Sequence, residues 1–297
     1  MINKLQQAIR LTDCPRDAMQ GVTTFIPTSR KIQYINQLMQ VGFDILDFGS
    51  FVSPEAIPQL RDTAEVLDKI ETNGTTELLA IVGNMRGAQK AALFSKISWL
   101  GYPFSVSETF LRRNLNSTIP KAFGQACELL NLCARQKKKL MVYLSMGFGN
   151  PYNDPWSIDL LAEWVDKLRR EGATEINLSD TIGISTAETV GEAFWFLLRE
   201  FPDIRFGFHL HSKPDDWYTR IDAAWRNGCR SFDGVLLGGG GCPMTGVALV
   251  GNLAMQHLVS YFEERDVPLK INSDEYQKAT VDAGRLFHEI ESNFKSE

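Results

Sequence analysis

The 297-residue chain is 44% hydrophobic and 23% charged, an ordinary globular composition. Its 31 Lys and Arg against 36 Asp and Glu leave a net charge of −5, which argues against a nucleic-acid surface and against an anionic-membrane partner. No apolar stretch approaches the ~18 residues of a membrane span, the N-terminus has no apolar leader core, and five Cys without a C-x-x-C read as reduced thiols, so a cytoplasmic protein is expected.

Short apolar runs rich in β-branched and aromatic residues predict strands at 8–13, 43–49, 77–83, 96–101, 139–145, 175–179, 205–211 and 231–237. Longer stretches between them carry helical periodicity, as at 29–42, 154–172 and 185–201. In the second of these, Pro155 stands near the first turn and Gly172 after the last. Trp164, Phe194 and Trp195 read as helix faces packed on the sheet, and Lys137 to Lys139 as a solvated run. Strand–helix alternation implies right-handed βαβ units and a parallel sheet. Eight such units without a linker predict an α/β fold, a closed (β/α)8 TIM barrel, in one domain over 1–297. A doubly wound sheet is the alternative, disfavoured because no strand is followed by G-x-G-x-x-G. From about residue 273 the tail predicts an additional amphipathic C-terminal helix packed on the barrel.

In a barrel, reactive groups belong at the C-terminal ends of strands and on the loops that follow. His209 and His211 end the seventh strand, two residues apart and therefore on one face. Parity places Gly207, His209 and His211 inside, with Phe206, Phe208 and Leu210 against the helices. A metal site is the favoured reading of this pair over two structural imidazoles. His257 and His288 fall in helical stretches and read as structural. Asp17, in Pro15-Arg16-Asp17 after the first strand, lies beside the seventh once the ring closes, and could complete a His–His–Asp set. Gly238 to Gly241 form a flexible loop after the eighth strand that carries Cys242. Asn252 offers a neutral carbonyl oxygen near the histidines. Asp47 should point inward with Ile45, Asp180 follows strand six, and Asn177 inside strand six asks for a polar interior.

Several segments together resemble hydroxymethylglutaryl-CoA lyase: CPRDAMQ (14–20), SFVSPEAIPQLRDTAEVL (50–67), SDTIGISTAETV (179–190), FHLH (208–211) and GGGGCPMTGVALVGNLAMQHLV (238–259). They recur in that enzyme's order and spacing over nearly the whole chain. More broadly the chain resembles the DRE-TIM metallolyases, (β/α)8 enzymes that make or break carbon–carbon bonds beside a carbonyl. The resemblance implies a divalent metal on Asp17, His209, His211 and Asn252, Arg16 near the substrate carbonyl, and Cys242 on an active-site lid. It also makes Asn84 a substrate-binding Asn and Asp180 an acid that affects catalysis. There are departures. The family Glu after strand two is Asp47 here, the acid usual after H-x-H is Ser212, and the acid usual after G-N-L-A-T is Gln256. The loop at 145–151 lacks the Cys common there, and a basic residue expected near Thr23 is replaced.

A mixed oxygen and imidazole ligand set without thiolate favours Mg²⁺ or Mn²⁺, with Zn²⁺ as the other candidate. The expected activity is metal-dependent retro-Claisen cleavage of a 3-hydroxy-3-methylglutaryl-CoA-like acyl-CoA to acetyl-CoA and a 3-oxo acid. Either Asp17 or His209 would be the base, Arg16 would face the enolate oxygen, and Cys242 would return a proton or close the lid. A metal aldolase acting on a 4-hydroxy-2-oxo acid and a non-catalytic binding paralogue are the competing readings. Relatives of this kind are often homodimers, so a homodimer is expected.

Overall fold

Eight parallel strands pair in chain order and the last closes on the first. They are β1 (Arg10–Asp13), β2 (Ile45–Ser50), β3 (Glu77–Ile81), β4 (Ile97–Ser105), β5 (Lys139–Ser145), β6 (Glu175–Asp180), β7 (Arg205–Leu210) and β8 (Ser231–Gly234). This computed structural model describes residues 9–240 and 250–294, with side chains as far as residue 287. Cys242, within the stretch 241–249, lies outside the described residues, as does the side chain of His288.

All eight predicted strands are present, and their ends differ for identifiable reasons. The eighth stops at Gly234 rather than 237, because Val235 is drawn away from the ladder. Its N–H donates to Leu253 O at 2.9 Å and its carbonyl accepts from Met255 N at 2.8 Å. The third stops at Ile81, since Asn84 already caps the next helix. The fourth continues to Ser105, paired throughout with β5.

The helices are α1 (Pro15–Gln20), α2 (Thr28–Val41), α3 (Thr63–Asp68), α4 (Met85–Ala92), α5 (Glu108–Leu115), α6 (Ile119–Gln136), α7 (Ile158–Arg170), α8 (Ala187–Glu200), α9 (Tyr218–Arg226), α10 (Met255–Glu263) and α11 (Ser273–Phe294). None among the described residues is long and apolar enough to cross a membrane. Side-chain caps start several of them: Ser107, Thr118, Ser157 and Thr186 each accept an N–H three residues on. Ser157 therefore starts α7, and Pro155 stands before the helix rather than in its first turn. Gly172 follows that helix with φ +99°, as its punctuation requires.

Strand residues alternate between helix-facing and inward positions. Phe206, Phe208 and Leu210 join the core between sheet and helices, where Phe194 packs edge-on against Phe208 and Trp164 tilts over Phe104. Trp195 departs from the expected packing: it is 49% exposed, with the Arg199 guanidinium over its ring. Lys138 is likewise not simply solvated, since its ammonium donates to the carbonyls of Phe94 and Ile97 at 2.9 and 2.6 Å. The C-terminal helix packs on α2, with Ala279, Ala283 and Leu286 buried and Phe287 edge-on to Tyr34.

The barrel interior is divided. From β2 to β5 it is apolar apart from Asp47, filled by Ile45, Leu79, Ile81, Trp99, Met141 and Tyr143. From β6 through β8 to β1 it is polar, with Asn177, His209, Asp233 and Thr12 all buried. At the base, Arg10 pairs with Glu175 at 2.7 Å and Ser231 at 2.9 Å and reaches the apolar half by lying over the Trp99 ring, 5.5 Å from its centroid.

Candidate active site

The polar half delivers its histidines to the C-terminal mouth. His209 is on β7 and His211 just beyond it, where a bridge to Asn252 extends the pairing. Their Nε2 atoms lie 3.2 Å apart. Asp17 arrives from α1, a short helix set by Pro15 immediately after β1, and its Oδ2 is 4.0 Å from His211 Nε2. One ligand atom from each of Asp17, His209 and His211 lies within 4.8 Å of the others. Asn252 completes the group beside Asp17, and its Nδ2 donates to Gly239 O at 2.9 Å.

The hydrogen bonds behind the imidazoles decide what faces the site. His211 Nδ1 is 3.1 Å from Val250 O, which can only accept, so this nitrogen carries the proton. His209 Nδ1 is 3.0 Å from Asp233 Oδ2, and a carboxylate there asks for the same tautomer. Two neutral rings fixed in this way present two lone pairs to each other at 3.2 Å, a repulsive contact unless a metal ion, or a proton on one Nε2, joins them. Asp17 Oδ2, buried and without a hydrogen-bond partner, faces the same place. Four carboxylates, Asp13, Asp17, Asp47 and Asp233, are buried in this region, and Arg16 pairs with only two of them. The residues present therefore fit a divalent cation on two imidazole nitrogens and a carboxylate, with the Asn252 amide alongside.

Arg16 is held from both sides. Its Nε and Nη2 contact Asp47 Oδ2 at 2.9 and 2.5 Å, and its Nη1 contacts Asp17 Oδ1 at 2.6 Å and Gln20 Oε1 at 3.1 Å. Burial acts against the charge on Arg16, but Asp47 and Asp17 more than restore it and its pKa is raised. For Asp17, burial raises the pKa, yet Arg16, His211, His209 and the Asn252 hydrogen bond together bring it down to about 2. In Asp47 burial prevails over Arg16 and the carboxyl is pushed up to about 6. Burial also lowers both imidazoles. His209 is nevertheless raised because Asp233 holds its protonated form, whereas His211 is lowered further by His209 beside it.

A cavity of about 170 Å³ opens above these groups. Arg16, Asp17, Gln20, His209 and His211 line it, with Ser145, Ser179 and Thr181 beside them. The other predicted residues take different places. Asp47 is fully buried beneath Arg16. Asp180, the last residue of β6, accepts from Ile184 N and Ser185 N at 3.0 and 2.9 Å and so folds its own loop. Its carbonyl accepts from His211 N at 3.2 Å, which braces the ligand from behind. The buried Arg220 guanidinium lies 3.5 Å from the Asp180 carboxylate and pairs with Asp216. Asn84 caps α4, its Oδ1 accepting from Gly87 N at 2.9 Å, and neither it nor Asp180 lines the cavity.

Asp233 is the functional residue that sequence reasoning missed. Besides His209 it binds Asn177 Nδ2 at 2.9 Å, which accounts for the polar residue inside β6. Gly207 leaves room for that amide: a Cβ there would sit 2.2 Å from Asn177 Oδ1. The available signal was an Asp at an inward position of the eighth strand, next to a histidine strand.

The HMGL-like family model matches residues 8–281 of the chain. Hydroxymethylglutaryl-CoA lyase YngG of Bacillus subtilis is 30% identical over 265 residues, 89% of this chain and 88% of that one. The 3-hydroxy-3-isohexenylglutaryl-CoA/hydroxymethylglutaryl-CoA lyase of Pseudomonas aeruginosa is 30% identical over 285 residues, 95% of this chain and 92% of that one. Among solved structures, an HMG-CoA lyase from Acinetobacter baumannii in complex with coenzyme A and 3-methylmalate superposes with a TM-score of 0.87 at 29% identity, covering 94% of this chain and 91% of the other.

Proposed function

The chain belongs to the HMGL-like family and is a carbon–carbon lyase, and on that premise we propose that it cleaves a 3-hydroxy-3-methylglutaryl-CoA-like thioester to acetyl-CoA and a 3-oxo acid in a metal-dependent reaction. The observation that carries the reading is the pair of Nε2 atoms facing each other at 3.2 Å beside the unpartnered Asp17 oxygen, under one cavity with Arg16. Asp17, His209, His211 and Asn252 would hold the ion, Mg²⁺ or Mn²⁺ by their chemistry. When bound, it supplies Lewis acidity toward the substrate oxygens.

The substrate hydroxyl loses its proton, the C3–O bond becomes a carbonyl, and the C2–C3 pair stays on C2 as a thioester enolate. That carbon is then protonated to give acetyl-CoA. Arg16 suits the enolate oxygen: two carboxylates hold its guanidinium in place at the cavity edge, so little reorganisation is needed. Of the two candidate bases, Asp17 is weakened by Arg16, while Asp233 would strengthen His209 as a proton acceptor only where its Nε2 is not holding the ion. Asp47 acts by holding Arg16, Asp180 by bracing the His211 loop. Roles for Asn84 in substrate binding and for Cys242 in protonation or closure rest on resemblance.

The test is a coupled assay of the purified protein with Mg²⁺ or Mn²⁺ on 3-hydroxy-3-methylglutaryl-CoA, with and without EDTA. Free acetyl-CoA that disappears with the chelator is the expected result. Pyruvate from a 4-hydroxy-2-oxo acid, with no acetyl-CoA from the thioester, would replace this reading with an aldolase.

A further inference from the structure

The glycines that follow β8 are not equivalent. After Val235 the chain turns away from the barrel wall and crosses between two pieces of backbone, each carrying a candidate ligand. One piece is Gly251–Asn252, laid against the end of β7: Ser212 N donates to Gly251 O and Leu253 N to Leu210 O, both at 3.0 Å. The other is the first turn of α1, with Asp17. Gly238 meets the first piece. A Cβ there would be 2.9 Å from Asn252 O, and one on Gly251 would be 2.8 Å from Gly238 O, so these two backbones touch because neither residue has a side chain. Gly240 meets the second piece. A Cβ there would be 2.5 Å from Asp17 O and 2.6 Å from Ala18 Cα. Between them, Gly239 O accepts from Asn252 Nδ2 at 2.9 Å. The turn before them is itself anchored: Leu236 N donates to the buried Asp13 Oδ1 and Leu237 N to Gln256 Oε1, both at 3.1 Å.

Gly238 and Gly240 also stand at φ +68° and +84°, in the left-handed region that a Cβ makes costly. Gly239 differs on both counts: its φ is −70°, and nothing lies within 4 Å of where its Cβ would be. Freedom of the chain would be served by all three glycines alike. Close approach is required at two of them, and these two touch the backbones of Asn252 and Asp17. An amide that donates from Nδ2 to a fixed carbonyl is held in one of its two orientations, which leaves Oδ1 for an ion. From the other piece Asp17 brings Oδ2, buried and without a hydrogen-bond partner. The segment 238–240 therefore spans the gap between a ligand from α1 and a ligand from the β7 side.

We infer that Gly238–Gly240 is a positioning strap for the metal centre and that Gly240 sets it. Packed on the Asp17 backbone, Gly240 holds Gly239 O where it orients the Asn252 amide. This rests on the reading that Asp17 and Asn252 share a divalent ion. Gly240 then acts through those two ligands, as a positioning residue rather than a ligand. A side chain at Gly240 would lift the strap from α1, take Gly239 O away from Nδ2 and release the amide.

The experiment compares Gly240→Ala with Gly239→Ala in the full chain, by calorimetric Mn²⁺ titration and by thermal unfolding in EDTA. The same methyl group is added at neighbouring positions, so the ratio of the two Mn²⁺ affinities is the readout. Gly240→Ala should bind roughly 10–100-fold more weakly than Gly239→Ala, the usual loss when a group that orients a metal ligand is removed. The two should unfold in EDTA at similar temperatures. Equal Mn²⁺ affinities, or a difference confined to unfolding, overturn the strap and leave the metal reading in place. A native protein that binds no Mn²⁺ overturns the metal reading and the strap with it. Should Gly240→Ala not fold, the native protein decides. Coupling is reciprocal: if a seated strap favours the ion, the ion must favour the seated strap. Hydrogen exchange of the amides in 236–240, read by mass spectrometry, should slow when Mg²⁺ is added, and unchanged exchange overturns the strap.

Discussion

Asp233→Asn separates what the buried carboxylates do for the site from what they do for the fold. In the native protein Asp233 Oδ2 accepts from His209 Nδ1 at 3.0 Å and from Asn177 Nδ2 at 2.9 Å, while its Oδ1 is buried without a partner. The substituted amide can still accept from His209, and Asn177 can turn to present its own unpartnered oxygen. The geometry survives and one negative charge is lost. A charged hydrogen bond becomes a neutral one, a loss of about 1–2 kcal/mol behind His209. Affinity for Mn²⁺ should therefore fall about 5–30-fold. The metal-free protein should respond in the other direction. Asp47 and Cys14 both feel Asp233 as a charge that raises their pKa, so its removal relieves repulsion among buried acids. Its Tm in EDTA should hold or rise, by about 2–4 °C for each kcal/mol gained. Calorimetric Mn²⁺ titration and thermal unfolding in EDTA read the two effects separately. Unchanged Mn²⁺ affinity, or a metal-free Tm lowered by several degrees, would refute the reasoning.

Arg16→Gln should lower kcat roughly 10²-fold, the usual loss for one oxyanion donor, and a raised KM with unchanged kcat would assign Arg16 to uniform binding instead. Arg220→Gln removes the buried partner of Asp180 and should cost about 3 kcal/mol, seen as a Tm lowered by about 6–12 °C. It should also weaken Mn²⁺ binding, since the Asp180 carbonyl holds His211 N, and Arg220→Lys should restore part of both. Burial pushes the thiols of Cys133 and Cys229 up to about 12, so both should resist iodoacetamide at pH 8 in the folded protein and react once it is denatured, as peptide mass mapping would show.

Periodicity and position made most of this legible. The H-x-H parity at His209 and His211 needs only the alternation of a strand, and the nearness of Asp17 needs only that the ring closes. Both hold in the structure. What stayed hidden was of two kinds, local roles that one residue type shares and contacts between elements far apart in the chain. Residue type alone does not tell that Asp180 turns back to its own loop, with Ile184 N and Ser185 N on its oxygens. Nothing local tells that Asn84 is a helix cap, because N-caps and substrate-binding amides use the same residue type at the same place after a strand. Trp195 was misplaced because helical periodicity fixes a stripe to within a residue or so, and at the stripe's edge an aromatic side chain can turn outward onto Arg199. Asp233 was missed because its partner His209 lies 24 residues earlier, on the neighbouring strand.

The two halves of the barrel also explain why these chemistries can share one cavity. A buried carboxylate cluster is costly unless cations or hydrogen bonds meet it. Here it is confined to β8, β1, α1 and the middle of β2, where Arg16, Asn177 and the tautomer-fixing bonds to the histidines answer part of the charge. What they leave unanswered is directed at one point, between two imidazole nitrogens and Asp17 Oδ2. Among the described residues the apolar cluster contributes no carboxylate or cation to the cavity and packs as an ordinary core. Its Tyr143 ring stands edge-on to His209 at 5.7 Å, so the aromatic edge limits how far the imidazole can move. The apolar side thereby holds in position a site whose charge it does not share. An acidic substitution at Leu79 or Met141 should consequently damage the fold before it alters the chemistry, whereas changes at Asp233 or Asn177 should act on the metal first.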